Sequence, residues 1–174
     1  MRKYLLILIA FAFSLTVSAE KLYWVGGSGN FNDAAHWSRT SGGNGGAKIP
    51  TLYDDVLFNH ASSKNGTYQV TLTSSVFCKD FIVDLYSKNV SFVGAIGSKI
   101  QVQGEFMLRN AADWNFNGVI EFVGEGNIDL YFGTKKINGD IIFNSAGSNY
   151  QLKSALVLGS NSKLFLNNGK LNVT

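Results

Sequence analysis

The sequence predicts an all-β chain wound as a right-handed parallel β-helix, a solenoid with coils of about 20 residues. Three observations carry that expectation. First, Ile82, Val102, Phe122 and Ile142 recur at steps of 20, and Leu164 follows 22 later. A fixed period of this length is the mark of stacked repeats. Each position sits in a short alternating run: FIVD, IQVQG, IEFVG, IIFN and LFLNN. Second, the chain has 19 glycines and 17 asparagines but one proline, Pro50. Glycine and asparagine enter left-handed backbone conformations cheaply, as tight corners require. Third, no stretch after residue 20 keeps a 3.6-residue apolar period long enough for a helix.

The first element is not part of the fold. Arg2 and Lys3 precede the apolar run Leu5 to Phe13, and Val17-Ser18-Ala19 offers a small-residue cleavage site before Glu20. Residues 1–19 therefore read as a secretory signal peptide. The run is shorter than the roughly 20 residues a membrane span needs. A secreted or cell-surface location follows, without an integral membrane anchor. The remaining 155 residues make about one domain. Losing Arg2 and Lys3 lowers the formal charge from +3 to +1, since all twelve acidic residues lie after residue 19. So neutral a chain has no basic face for nucleic acid. Cys78, the sole cysteine, lies in Val76-Phe77-Cys78 and reads as a buried, inert thiol.

Residues 20–75 read as an N-terminal cap with the first strands. Leu22 to Val25 is strand-like, and YWVGGSGNFNDAAHW brackets a glycine turn with tryptophans. The end of a β-helix exposes unpaired backbone groups and an apolar cross-section that must be covered. Trp24, Phe31 and Trp37 supply apolar area, and Gly26, Gly27 and Gly29 let the backbone fold tightly over it. A ligand site is the other reading of this bracket. A polar loop, SRTSGGNGGAKIP, precedes strands near residues 54–58 and 67–73.

Residues 76–174 read as the coils, stacked at about 4.8 Å. Ile82, Val102, Phe122, Ile142 and Leu164 are expected to form one interior apolar column. An antiparallel β-sandwich is the rival, because strands spaced by 8–12 residues suit it too. SKLFLNNGKLNVT stops in the rhythm of another coil. The chain is therefore expected to be the N-terminal portion of a longer one, with an open last coil able to self-associate.

Chemistry is sparse. Asp33, His36, Asp54, Asp55 and His60 form the one compact group of catalytic-type residues. A weak calcium site is its best metal reading, against turn capping, with Asp33 bonding nearby amides and Asp54 and Asp55 opening a strand. No other cofactor is expected. β-Helical polysaccharide lyases and glycoside hydrolases would need paired carboxylates on neighbouring coils. Asp84, Glu105, Glu121, Asp129 and Asp140 are candidates, but their unequal spacing gives no reason for them to align. Tyr53, Tyr68, Tyr86, Trp114, Tyr131 and Tyr150 could stack on sugars, although Trp114 reads as core. A nucleophile elbow and a phosphate-binding loop are both missing from the sequence. The expectation is a non-catalytic protein of adhesive or structural role, with carbohydrate binding or degradation as the alternative and cell-surface glycans or proteins as partners.

The segment YWVGGSGNFNDAAHWS, followed by GGNGGAKIPT and DDVLFN, resembles the opening of a family of exported Bacteroidetes-type surface proteins. Such W-x-GG-x-G openings precede adhesin-like β-helices, often substrates of type IX secretion. The resemblance covers residues 23–59 by motif and the rest by repeat texture. It implies a surface β-helix. Phe31 stands where a tryptophan is usual, and no sorting domain follows.

Overall fold

The computed structural model describes residues 19–85, 89–109 and 112–173. The signal peptide read at 1–19 thus lies outside the described residues up to its last position, as does Tyr86. Strand β1 (Lys21–Trp24) and β2 (Gly29–Asn30) open the chain, and one 3-10 turn, Ala34–His36, leads into β3 (Trp37–Ser38). Next come β4 (Asp55–Phe58), β5 (Tyr68–Leu72), β6 (Val76–Cys78), β7 (Phe81–Val83), β8 (Val90–Gly94) and β9 (Lys99–Val102). β10 (Phe106–Leu108), β11 (Ala112–Phe116), β12 (Val119–Phe122) and β13 (Gly126–Tyr131) continue the winding. It closes with β14 (Lys136–Ile137), β15 (Asp140–Leu152), β16 (Val157–Leu158) and β17 (Leu164–Val173).

These strands build a parallel β-solenoid of about 5 turns with roughly 22 residues per turn. One face stacks β6, β9, β12 and the first halves of β15 and β17. A second stacks β1, β4, β7, β10, β13 and the second halves of β15 and β17. The third is β2, β5, β8 and β11, with the β14–β16 pair beyond it. Coil-to-coil pairing is parallel throughout these faces, so the sandwich rival is set aside. The exception is β3, which runs antiparallel on the outer edge of β1.

Register corrects the expected column. The interior rows of the first face are Val76, Ile100, Ile120, Ile141, Leu164 and Cys78, Val102, Phe122, Phe143, Leu166. Val102 and Phe122 therefore stack as expected, both fully buried. Ile142 pairs with Glu121 and is only partly buried, pointing outward while Phe143 takes the interior place. Ile82 belongs to the second face, between Leu57 and Met107, and also points outward. Leu164 joins the row of Ile141 and stays 37% exposed. Successive residues of a row are 24, 20, 21 and 23 positions apart. Side chains alternate along a strand, so each single-residue change at a corner flips a strictly counted position to the other face.

The interior is largely aromatic. Phe58, Phe81, Phe92, Phe106, Trp114, Phe122, Phe143 and Tyr150 form a chain of ring contacts, with centroids 4.7–5.7 Å apart between neighbours such as Phe58–Phe81, Phe81–Phe106, Phe106–Phe122 and Phe143–Tyr150. Fully burying such a side chain contributes about 1.5–3 kcal/mol. A fold without disulfides gets its cohesion here, together with the coil-to-coil backbone pairing. Cys78 is part of this interior, and burial pushes its thiol pKa well up. That is the behaviour of a small hydrophobe.

Candidate functional site

The aromatic bracket at the N-terminal end closes on itself. Trp24, Phe31 and Trp37 are fully buried. The Trp24 indole N–H donates to the Gly27 carbonyl at 2.7 Å, and that of Trp37 donates to the Phe31 carbonyl at 2.7 Å. His36 lies flat on Trp24, with centroids 4.7 Å apart and planes 7° from parallel, and its Nδ1 is 2.9 Å from the Val25 carbonyl. The glycines make room for that imidazole. A Cβ on Gly29 would fall 2.0 Å from His36 Nε2, while Gly26 and Gly27 turn the chain at φ +83° and +82°. The six cap residues thus meet in one packed unit over β1 and β4, with no aromatic face left for a sugar. Beside it lies a cleft of about 550 Å³ walled by Gly26–Ser28, the 42–45 loop and residues 63–68.

The acidic and histidine group at the same end divides among separate roles. Asp33 accepts from the Ala35 amide at 2.9 Å and caps the 3-10 turn. Asp54, fully buried, accepts from the Thr51 amide and hydroxyl at 2.9 and 2.7 Å and pairs with Lys48 at 2.8 Å. Burial pushes its pKa up, but Lys48, Thr51 and the Glu20 amide outweigh that and hold it below the usual carboxylate range. His36 is committed to Trp24, and His60 sits on the exposed turn after β4. Among the described residues no three of these side-chain types are arranged to hold a metal. Turn capping, the alternative to a metal site, is the role that Asp33 and Asp54 take here.

The second face carries two parallel outward rows. Tyr23, Leu57, Ile82, Met107 and Tyr131 pair in succession across five coils, all half-buried. Two positions before Leu57, Ile82, Met107 and Tyr131, and also outward, stand Asp55, Asp80, Glu105 and Asp129, each immediately before the paired residues Val56, Phe81, Phe106 and Leu130, while Lys21 takes that place before Tyr23. Glu105 sits between Asp80 and Asp129. Burial first, then those two negative charges, raises its pKa above the usual 4.5. Lys79 answers the row at one end, 3.1 Å from Asp55 and 3.5 Å from Asp80, and Lys153 lies 3.7 Å from Asp129. The sequence reading missed this alignment because Asp80 was not counted and the coil steps are uneven. Parity was the available signal: each acid stands one residue before an interior apolar residue.

The other candidate acids are tied to neighbouring coils elsewhere. Glu121, almost buried on the first face, accepts from Lys99 at 2.8 Å, Gln101 at 2.8 Å and Asn144 at 2.9 Å. Burial alone would raise its pKa, but these three partners hold it low. Asp84 pairs with Arg109 at 2.8 Å, and Asp140 accepts the Lys163 amide at 2.8 Å. Of the aromatic candidates, Tyr68, Trp114 and Tyr150 are interior, Tyr131 belongs to the outward row, and Tyr53 is exposed. A second cleft, of about 330 Å³, runs along the corner formed by Asn117, Asn138 and Asn161 with their neighbouring glycines. Neither cleft is lined by two carboxylates. Among the described residues no helix is long and apolar enough to cross a membrane.

Compared with protein-family models, curated proteins and solved structures, the chain matches none.

Proposed function

We propose that the protein is an exported, non-catalytic β-solenoid of adhesive or structural role at the cell surface. Its contact surface is the second face, where an apolar row ending in tyrosines runs beside an acidic row. The observation that carries this reading is that alignment over successive coils, Tyr23 to Tyr131 and Asp55 to Asp129. A rigid sheet repeating this chemistry over the four rungs from β4 to β13 suits an extended glycan or protein partner. The resemblance of residues 23–59 to exported Bacteroidetes-type surface proteins points the same way, as does the signal-peptide pattern of residues 1–19. The test is binding to whole cells and to a glycan array by the wild-type chain and by Ile82→Lys and Met107→Lys. The reading expects binding that both substitutions abolish without unfolding. Binding equally strong in the variants, or cell fractionation that leaves the protein in the cytoplasm, contradicts it.

A second reading, polysaccharide cleavage, is favoured by Glu105 alone. A carboxyl with a raised pKa between two carboxylates on adjacent coils has the character of a general acid beside a base. Release of new sugar ends from acidic or neutral polysaccharides, lost in Glu105→Gln and Asp80→Asn, would establish it.

A further inference from the structure

Five Asn-Gly pairs punctuate the chain: Asn44-Gly45, Asn65-Gly66, Asn117-Gly118, Asn138-Gly139 and Asn168-Gly169. Asparagine is a thermolabile side chain, and the residue that follows governs how readily it reacts. The next backbone nitrogen can attack the side-chain carbonyl carbon, and glycine, without a Cβ, leaves that approach unobstructed. The peptide must still swing until nitrogen and carbon meet in line, so a held backbone or a held amide suppresses the attack. The five pairs differ in that respect.

Four of them are held. A Cβ on Gly45 would land on the Ala35 carbonyl, and the next amide, that of Gly46, donates to the Ala34 carbonyl at 2.8 Å. Gly118 lies against the Ser98 carbonyl; the Asn117 amide donates to the Gly94 carbonyl at 3.5 Å, and the Gly118 carbonyl accepts from the Asp140 amide at 3.2 Å. Gly139 lies against the Gly118 carbonyl, and the Asn138 side chain donates to the Trp114 carbonyl at 3.2 Å. Asn168 donates from its side chain to Asn144 at 3.2 Å, and Gly169 lies against the Ser145 carbonyl. Asn65-Gly66 is free. Asn65 is exposed on the loop between β4 and β5, anchored by its backbone N–H, which donates to Ser63 Oγ at 3.2 Å. Neither its side-chain amide nor the Gly66 N–H has a hydrogen-bond partner among the described residues. Gly66 turns at φ +81° with nothing within 4 Å of the place a Cβ would take.

We propose that Asn65-Gly66 is a self-acting modification site, where the folded chain converts its own asparagine to aspartate and isoaspartate. The Gly66 nitrogen attacks Asn65 Cγ and gives its proton to water. The bond from Cγ to the side-chain nitrogen breaks, ammonia leaves, and a five-membered imide remains. Water then opens the imide at one of its two carbonyls, leaving either acid. The pair stands in the wall of the cleft of about 550 Å³ beside the cap, where Lys64 is the one charged side chain among the lining residues. A carboxylate formed next to Lys64 cancels that charge. The electrostatics of this cleft therefore change with the age of the molecule.

Incubation of the folded chain at neutral pH in heavy-oxygen water, followed by peptide mapping in a mass spectrometer, tests this. The expected result is label entering at Asn65, as a mixture of aspartate and isoaspartate, about tenfold faster than at any of the other four asparagines. In denaturant, where nothing is held, the five rates should converge. Ion exchange should show an acidic form growing with time in the wild type and absent from Asn65→Gln over the same period. An unlabelled Asn65 in the folded chain, equal labelling of all five pairs while folded, or aspartate without isoaspartate overturns the proposal.

Discussion

The cap and β17 use the same stacking chemistry differently. Both ends of a stacked sheet leave backbone groups and an apolar cross-section without a next layer. At the N-terminal end, residues 24–37 fold back as an aromatic knot, and each cap indole N–H is bonded to a carbonyl within its own turn. At the other end, β17 carries leucines in interior register with nothing above them among the described residues. The difference teaches that one set of stacking rules serves both a knotted aromatic cap and a plain apolar rung, according to what the local sequence adds. Cap residues ought to be costly to change, and rung residues cheap.

The largest effect is expected at Trp37. Replacing it with alanine removes edge contacts to Trp24, Phe31 and Phe58 and should cost about 3–5 kcal/mol, read from denaturant unfolding. A loss below about 1 kcal/mol would break the contrast between the ends. Asp54→Ala comes next, at about 3 kcal/mol, since it strips the buried partner from Lys48. The sign of its pH dependence is fixed. The folded-state pKa lies below the ordinary 3.8, so the contribution is complete above that value and fades as pH falls through the lowered one. The wild type should therefore lose its advantage over Asp54→Asn in strong acid.

Two tryptophans sharpen the comparison further. Trp24→Phe gives up the bond to Gly27 and should cost about 1–2 kcal/mol. The indole N–H of Trp114 is buried without a hydrogen-bond partner, so Trp114→Phe removes an unsatisfied donor and should be neutral or stabilising. Equal losses at the two sites would refute that distinction. Smallest is Glu105→Gln. A pKa raised above 4.5 means that ionisation costs stability as pH climbs through the folded value. The variant should be more stable at pH 7 by less than about 1 kcal/mol, and the gain should vanish below pH ~4.

Much of this architecture was legible beforehand because it rests on local chemistry. The 20-residue rhythm found Val102 and Phe122, and the glycine-tryptophan bracket marked the cap before any contact was known. Ile82 and Ile142 were misplaced because rung length beyond the cap varies from 20 to 25 residues across the faces, and counting cannot see where a corner takes in a residue. The same blindness hid the acidic row, since Asp55, Asp80, Glu105 and Asp129 align only once each strand is placed by its interior residues. The His36–Gly29 contact was beyond reach for another reason: it depends on a loop folding back across three dimensions, which carries no period.

Amide hydrogen exchange read along the chain is the most direct check on a first coil locked by its aromatic cap. β1 and the Trp37 amide should be protected to the level of the middle strands β9 to β12. Rapid exchange in β1 and at Trp37, with β9 to β12 still protected, would contradict the account.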